Sequence, residues 1–256
     1  MTRLQHRSWV LIAGMLATLV GGVVLLGWAL DIAALKSVLP GWVSMKPNTA
    51  VAFVLSGIGV LLTRPRSMSN ASESRTAPQR SNPWSYAGRF CALFAGLIGL
   101  LSLYEYAFGW NPGFDQWLFP EPAGTVGTSH PGRMAPDTAL CFVLFAAGWD
   151  FTRRPRQTKW TLIAALLLGG MTTALALVEI LSYFTPSLRT YGWGGLTMMA
   201  LPTAFLFAAL GAALLLTVYL ENRLESPSSA NIVSEVRTSL MFLLMKHWST
   251  LMLISF

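Results

Sequence analysis

Three segments of the chain open a hydrophobic run with nearly the same residues: Pro47-Asn48-Thr49-Ala50, Pro136-Asp137-Thr138-Ala139 and Pro202-Thr203-Ala204. Phe53 and Phe142 each lie six positions after their proline. Phe207 lies five after Pro202, as a one-residue deletion between Pro202 and Thr203 requires, and the same deletion aligns Gly211 with Gly57. A register shared by three segments predicts one two-helix unit used three times, at about residues 9–63, 86–151 and 160–220 of a membrane domain covering 1–225.

Apolar runs recur at residues 9–30, 47–62, 86–108, 136–151, 160–184 and 196–220. A bilayer core needs about 20 apolar residues per helix, so each run predicts a span. The second and fourth are short when counted from their prolines, and residues 43–45 and 134–135 extend them. Only 11% of the residues are charged, against about 25% in soluble domains, which points away from a soluble fold. The expected fold is an all-α polytopic membrane bundle of six or seven transmembrane helices, built from three tandem helical hairpins. Arg3 and Arg7 precede the first run as in a signal peptide. That run is too long for a signal h-region and no small-x-small cleavage site follows before Asp31, so the helix is expected to stay as an anchor.

The net charge of +7 is explained by topology and not by nucleic-acid binding. Arg3, Arg7, Arg64, Arg66, Arg75, Arg80, Arg89, Arg153, Arg154, Arg156, Lys159, Arg223 and Arg237 fall on one set of connections. Only Lys36, Lys46, Arg133 and Arg189 fall on the other. Thirteen against four predicts a cytoplasmic amino terminus in a bacterial inner membrane. The lipid bilayer and other membrane chains are the expected partners. Cys91 and Cys141 lie in different helices at different depths, too far apart for a bridge.

Residues 64–83, rich in serine, asparagine, proline and arginine, read as a flexible cytoplasmic loop. The outer loop 109–133 carries Trp110, Phe114, Trp117 and Phe119, and the next, 185–197, carries Tyr191 and Trp193; such aromatics suit the headgroup boundary. After the sixth run comes a polar linker and then an apolar stretch, 239–256, interrupted by Lys246 and His247. Ser239, Lys246 and Thr250 share one face of it, so it reads either as a seventh span or as an amphipathic surface helix.

Each unit ends its first helix near an acid, Asp31, Glu105 or Glu179, and begins its second with the proline-led motif. Proline at a first helical turn sacrifices no hydrogen bond. Asn48 or Asp137, with Thr49, Thr138 and Thr203, can satisfy the free amides of that turn. If the hairpins pack around a pseudo-threefold axis, these ends form an outer polar ring of Asp31, Asn48, Glu105, Asp137 and Glu179 able to bind a small polar or amphipathic ligand. The alternative is that the motifs only cap helices, with the carboxylates paired to Arg133, Arg189 or Lys46. Glu179 is the leading single candidate, because ionisable groups inside a span are costly. His6, His130 and His247 are isolated, no metal spacing is present, and neither a nucleophile–base pair nor a phosphate loop is legible. No catalysis, cofactor or metal is expected.

The second unit carries a longer string, Leu103-Tyr104-Glu105-Tyr106-Ala107-Phe108-Gly109-Trp110, then Gly113-Phe114-Asp115-Gln116-Trp117-Leu118-Phe119, ending in Gly132-Arg133-Met134-Ala135-Pro136-Asp137-Thr138-Ala139. With Met45-Lys46-Pro47-Asn48-Thr49-Ala50, it resembles the amino-terminal membrane sensor region of bacterial PAS-containing histidine kinases and diguanylate cyclases. The resemblance covers about residues 9–225. It implies a non-catalytic signal-input module whose ligand is undefined. Such sensors continue into cytoplasmic PAS, dimerisation and kinase or cyclase domains, and residues 226–256 do not look like that continuation. The chain is thus expected to be a fragment, or a sensor-derived module serving as an accessory subunit of a larger membrane complex.

Overall fold

A computed structural model describes residues 3–37, 41–63, 83–154, 158–185 and 196–225. Readings that fall on 64–82, on Arg156, on 186–195 with Arg189, Tyr191 and Trp193, and on 226–256 with the apolar stretch 239–256 lie outside the described residues. Seven helices and no strand are present among those described. They are α1 (Arg3–Ala29), α2 (Ala33–Lys36), α3 (Pro47–Leu62), α4 (Pro83–Phe108), α5 (Pro136–Thr152), α6 (Lys159–Phe184) and α7 (Leu201–Glu225), with a 3-10 turn at Phe114–Gln116. Met1–Val218 forms one compact unit, and the second unit, Tyr219–Phe256, contributes only the last turns of α7 to the description.

Among the described residues, four helical stretches are long and apolar enough to cross a membrane: His6–Ala29, Pro83–Phe108, Lys159–Phe184 and Leu201–Leu220. Helices α3 and α5 are 16 and 17 residues long. At 1.5 Å per residue they rise roughly 24–26 Å, short of a core of about 30 Å. The proline at the start of each sets the limit, because the residue before a proline is pushed into extended backbone. Lys46 (ψ 152°) and Ala135 (ψ 147°) are both extended.

The two short helices are the most enclosed, and with α7 they surround an aromatic centre. Phe53 of α3, Phe142 of α5 and Phe207 of α7 are fully buried. Their ring centroids lie 4.8, 4.8 and 4.7 Å apart in tilted or edge-on pairs, the geometry that sets positive ring edges against negative faces. Around them α1 packs on α3, α4 on both α3 and α5, and α6 on α5; Gly211 of α7 meets Thr173 of α6.

Small residues allow these approaches. A Cβ at Gly57 would collide with the Thr18 hydroxyl and Gly14 carbonyl of α1, and one at Gly211 with the Thr173 hydroxyl of α6. Thr18 and Thr173 in turn donate to the carbonyls of Gly14 and Gly169 at 2.9 and 2.8 Å. In lipid, where apolar surface gains little by leaving its surroundings, close backbone packing of this kind is what holds helices together. The outward faces of α1, α4 and α6 remain apolar: Leu19, Phe90 and Leu181 are all more than half exposed. A soluble monomer rarely tolerates so much exposed apolar surface, and the architecture is that of a helical membrane bundle.

The segments leading into α3, α5 and α7 are tied down in the same way. Trp28 Nε1 of α1 donates to the Met45 carbonyl at 2.9 Å, Tyr106 of α4 donates its hydroxyl to Met134 at 3.2 Å, and Tyr183 of α6 donates to Met199 at 2.8 Å. Each bond satisfies a carbonyl in an extended stretch that no helix could serve.

Candidate functional site

The polar groups of the bundle gather where α3, α5 and α7 begin, under the connection from α4 to α5. This connection folds back through a left-handed Gly113 (φ 82°) into the 3-10 turn, which buries Asp115. Gly132 is also left-handed (φ 76°), and any Cβ there would strike the Asp115 carbonyl. Only glycine brings the two strands of the loop this close.

Arg133 follows, with its side chain 3% exposed. Its Nε donates to Asp115 Oδ2 at 2.8 Å and lies 3.3 Å from Glu105 Oε2 of α4. Its guanidinium carbon stands 5.2 Å from the Tyr106 ring centroid. The other oxygen of Asp115 accepts from Asn48 Nδ2 of α3 at 3.2 Å. One guanidinium therefore holds two carboxylates, drawn from a helix and a loop, and the loop acid reaches the start of a second helix.

A second ion pair is tied to it through the Gly132 amide. Lys46, immediately before α3, donates to Glu121 of the loop and to Thr128 Oγ1, the latter at 2.6 Å, and both members of the pair are almost fully buried. Glu121 also accepts from the Gly132 amide at 2.6 Å. Farther along, Met198 N donates to the Gly127 carbonyl at 2.9 Å and Ser129 N to Thr197 Oγ1 at 3.3 Å. The single loop is thus bonded to the residues preceding α3, α5 and α7.

Asp137 and Glu179 make a separate pairing. Asp137, buried at the start of α5, has the Glu179 carboxyl of α6 as its acidic neighbour. The charged neighbours of Glu105 are instead Asp115 and Arg133. Asn48 and Asp137 each accept the amide of the next residue, Thr49 N at 2.7 Å and Thr138 N at 2.6 Å. Thr49, Thr138 and Thr203 are buried with Pro47 and Pro136, and Pro202 is half-buried.

The expected ring of five residues accordingly divides. Asn48 and Glu105 meet through Asp115 and Arg133; Asp137 and Glu179 meet each other. Asp31 joins neither. It is the one non-glycine residue with positive φ among those described, its side chain is 95% exposed, and it pairs with Lys36, whose ammonium holds the carboxyl below the usual carboxylate range. Counted from the aromatic donors Trp28, Tyr106 and Tyr183, the acids are out of register: Asp31 is three residues after, Glu105 one before and Glu179 four before. At 3.6 residues per turn these offsets fall within about 60° of one another; Asp31 is set apart because α1 ends at Ala29 and the chain turns away through its positive φ.

No family model, no curated protein and no solved structure matches the chain. Its chemistry is therefore read from these contacts alone. No group of three or more His, Cys, Asp and Glu side chains able to hold a metal occurs among the described residues. His130 bonds Ser129 Oγ at 3.0 Å and stacks edge-on with Tyr106, and Cys91 and Cys141 are free thiols.

Sequence reasoning passed over Asp115 and Glu121. The signal was present as a charge balance: residues 109–135 hold two acids, and the only fixed cations near the helix starts are Arg133 and Lys46. Acids amid aromatics at a membrane boundary need partners.

Proposed function

We propose that the chain is a membrane-embedded signal-input module of six spanning helices in three two-helix units, with its amino terminus in the cytoplasm of a bacterial inner membrane. The observation that carries this reading is the Arg133 cluster. Buried charges are costly unless fully paired, and here they sit at the helix starts of an otherwise apolar bundle. A loop that presents them to the outside is bonded to the approaches of all three inner helices. An event that loosens Arg133 from Glu105 or Asp115 moves α3, α5 and α7 together, and the far end of α7 carries the change across.

The recurring contacts support the repeated unit: three aromatic donors on three methionine carbonyls, two glycine–threonine crossings and the phenylalanine triad. The short α3 and α5 complete their crossings through residues 43–46 and 134–135. Non-helical backbone at membrane depth is tolerated where protein covers it, and Met45, Met134 and Ala135 are buried. The thirteen-to-four bias in basic residues supports the orientation, and the resemblance of the string around Glu105 and Arg133 supports the sensor assignment.

The test is hydrogen exchange over residues 210–225 in lipid nanodiscs, comparing the native chain with Arg133→Gln and with Glu105→Gln/Asp137→Asn/Glu179→Gln. Altered protection at the α7 end, with insertion retained, is the expected result. Identical protection in every variant refutes transmission. An accessory-subunit reading is favoured by one feature, the exposed run of Trp110, Phe114 and Trp117, the last 84% exposed. Stoichiometric partner chains in native mass spectrometry, with no change in exchange, would select it.

A further inference from the structure

A chain of aromatic rings runs from the end of α4 into the loop that follows it. Tyr104 of α4 stands 4.4 Å from Phe108 and 5.9 Å from Trp110 between centroids, and Phe114 stands 6.4 Å from both Trp110 and Trp117. All five rings are about half exposed or more. A continuous exposed apolar patch of this kind marks an interaction surface.

Its position and charge say what covers it. The run begins on the outward face of α4, a helix long and apolar enough to cross a membrane, where Phe90, Leu97 and Leu100 are also exposed. It passes the helix end without a break. Within residues 109–120 the only charged residue is Asp115, and that carboxylate turns inward to Arg133. The outward side of the stretch therefore presents Trp110, Phe114 and Trp117 with the neutral Asn111 and Gln116. Such a surface fits the headgroup boundary, where an indole buries its ring and keeps its N–H hydrated.

The same stretch grips the charge cluster from its other side. Phe114 and Trp117 flank Asp115 on a turn closed by Gln116 N to the Gly113 carbonyl at 3.2 Å and Trp117 N to the Phe114 carbonyl at 3.3 Å. Arg133 Nη2 donates to the Trp110 carbonyl at 3.5 Å. A change in the depth of these rings thus moves Asp115 and the Trp110 carbonyl against Arg133. Arg133, Glu105 and Asp115 are themselves buried, so a soluble ligand does not meet them directly.

We propose that Trp110, Phe114 and Trp117 insert into the outer-leaflet interface, and that lipid packing there is the stimulus that tightens or loosens Asp115 on Arg133. Insertion rests on the membrane reading alone; its use as a stimulus rests on the signal-input reading above. Lipid then covers the run that a partner chain would otherwise need.

The full chain, labelled with 5-fluorotryptophan in phosphatidylcholine nanodiscs, tests insertion by fluorine NMR, with the Trp117 resonance assigned by its loss in Trp117→Phe. A nitroxide lipid labelled near the glycerol level should broaden that resonance, and an aqueous gadolinium chelate should not. Broadening by the chelate alone, or shielding from both probes by a second protein chain, would overturn the proposal. Hydrogen exchange tests the stimulus. Adding lysophosphatidylcholine to the nanodiscs should change exchange of the amides of residues 113–117 at least about threefold in the native chain, and this response should vanish in Trp110→Asn/Trp117→Asn. An unchanged thermal midpoint is the folding check, and Trp117→Asn alone replaces the double variant if the latter does not fold. No response in the native chain, or an equal response in the variant, would also overturn it. A response in the loop with residues 210–225 unmoved, in the native chain and in Arg133→Gln alike, supports the interfacial contact and refutes transmission, so the two failures are distinct.

Discussion

Replacing Arg133 by methionine should be among the most damaging single changes available in this bundle. The side chains of Arg133, Glu105 and Asp115 are 3%, 3% and 6% exposed. Methionine keeps most of the volume and removes the charge, leaving two carboxylates facing each other without a cation. Breaking a buried pair this way costs about 3–5 kcal/mol, and losing the cation over Tyr106 adds roughly 0.5–1 kcal/mol. The sum, about 4–6 kcal/mol, consumes much of a typical net stability of about 5–15 kcal/mol. The triple change Arg133→Met/Glu105→Gln/Asp115→Asn removes all three charges and should return to within about 2 kcal/mol of the native chain, because neutral replacement of a buried ionic group is often nearly free. Arg133→Lys should fall between, since an ammonium keeps the charge but cannot fork between two carboxylates. Reversible unfolding by denaturing detergent in mixed micelles, followed by tryptophan fluorescence, measures each free energy. A single variant within about 1 kcal/mol of native, or a triple variant no better than the single one, would refute the claim that Arg133 neutralises two buried acids.

Other expectations follow from the packing and from the exposed pair. Phe142→Ala, at the aromatic centre, should destabilise by about 3–5 kcal/mol in the same assay, whereas Phe205→Ala, 53% exposed on α7, should cost under about 1 kcal/mol. Gly57→Val should cost at least about 1–3 kcal/mol, because its Cβ would meet the Gly14 carbonyl at 2.5 Å; Gly22→Ala, with nothing within 4 Å, should be neutral or slightly stabilising. Lys36→Ala should raise the titration midpoint of Asp31 toward the usual carboxylate value of about 3.9. The Asp31 carboxyl titrates lower in the folded chain, so its pairing stabilises above the unfolded value and is lost as pH falls through the folded one. Carboxyl-resolved NMR of the two chains in detergent checks that shift.

Much of the bundle was legible in the sequence, because helix periodicity, apolar length and proline-led starts are local properties. The register of Phe53, Phe142 and Phe207 needed no coordinates, and these rings meet at the centre. Gly57 and Gly211, aligned by the same one-residue deletion, both receive a threonine from the neighbouring helix. The candidate site was only half legible. Asn48, Glu105, Asp137 and Glu179 were recognisable as polar groups at helix ends, but a list of acids at similar depths carries no azimuth, and Asp31 points to solvent. Glu121 and Asp115 find Lys46 and Asn48 across 75 and 67 residues of chain. Pairings at that separation depend on how a glycine-bent loop folds over the helix starts, and they leave no periodic trace.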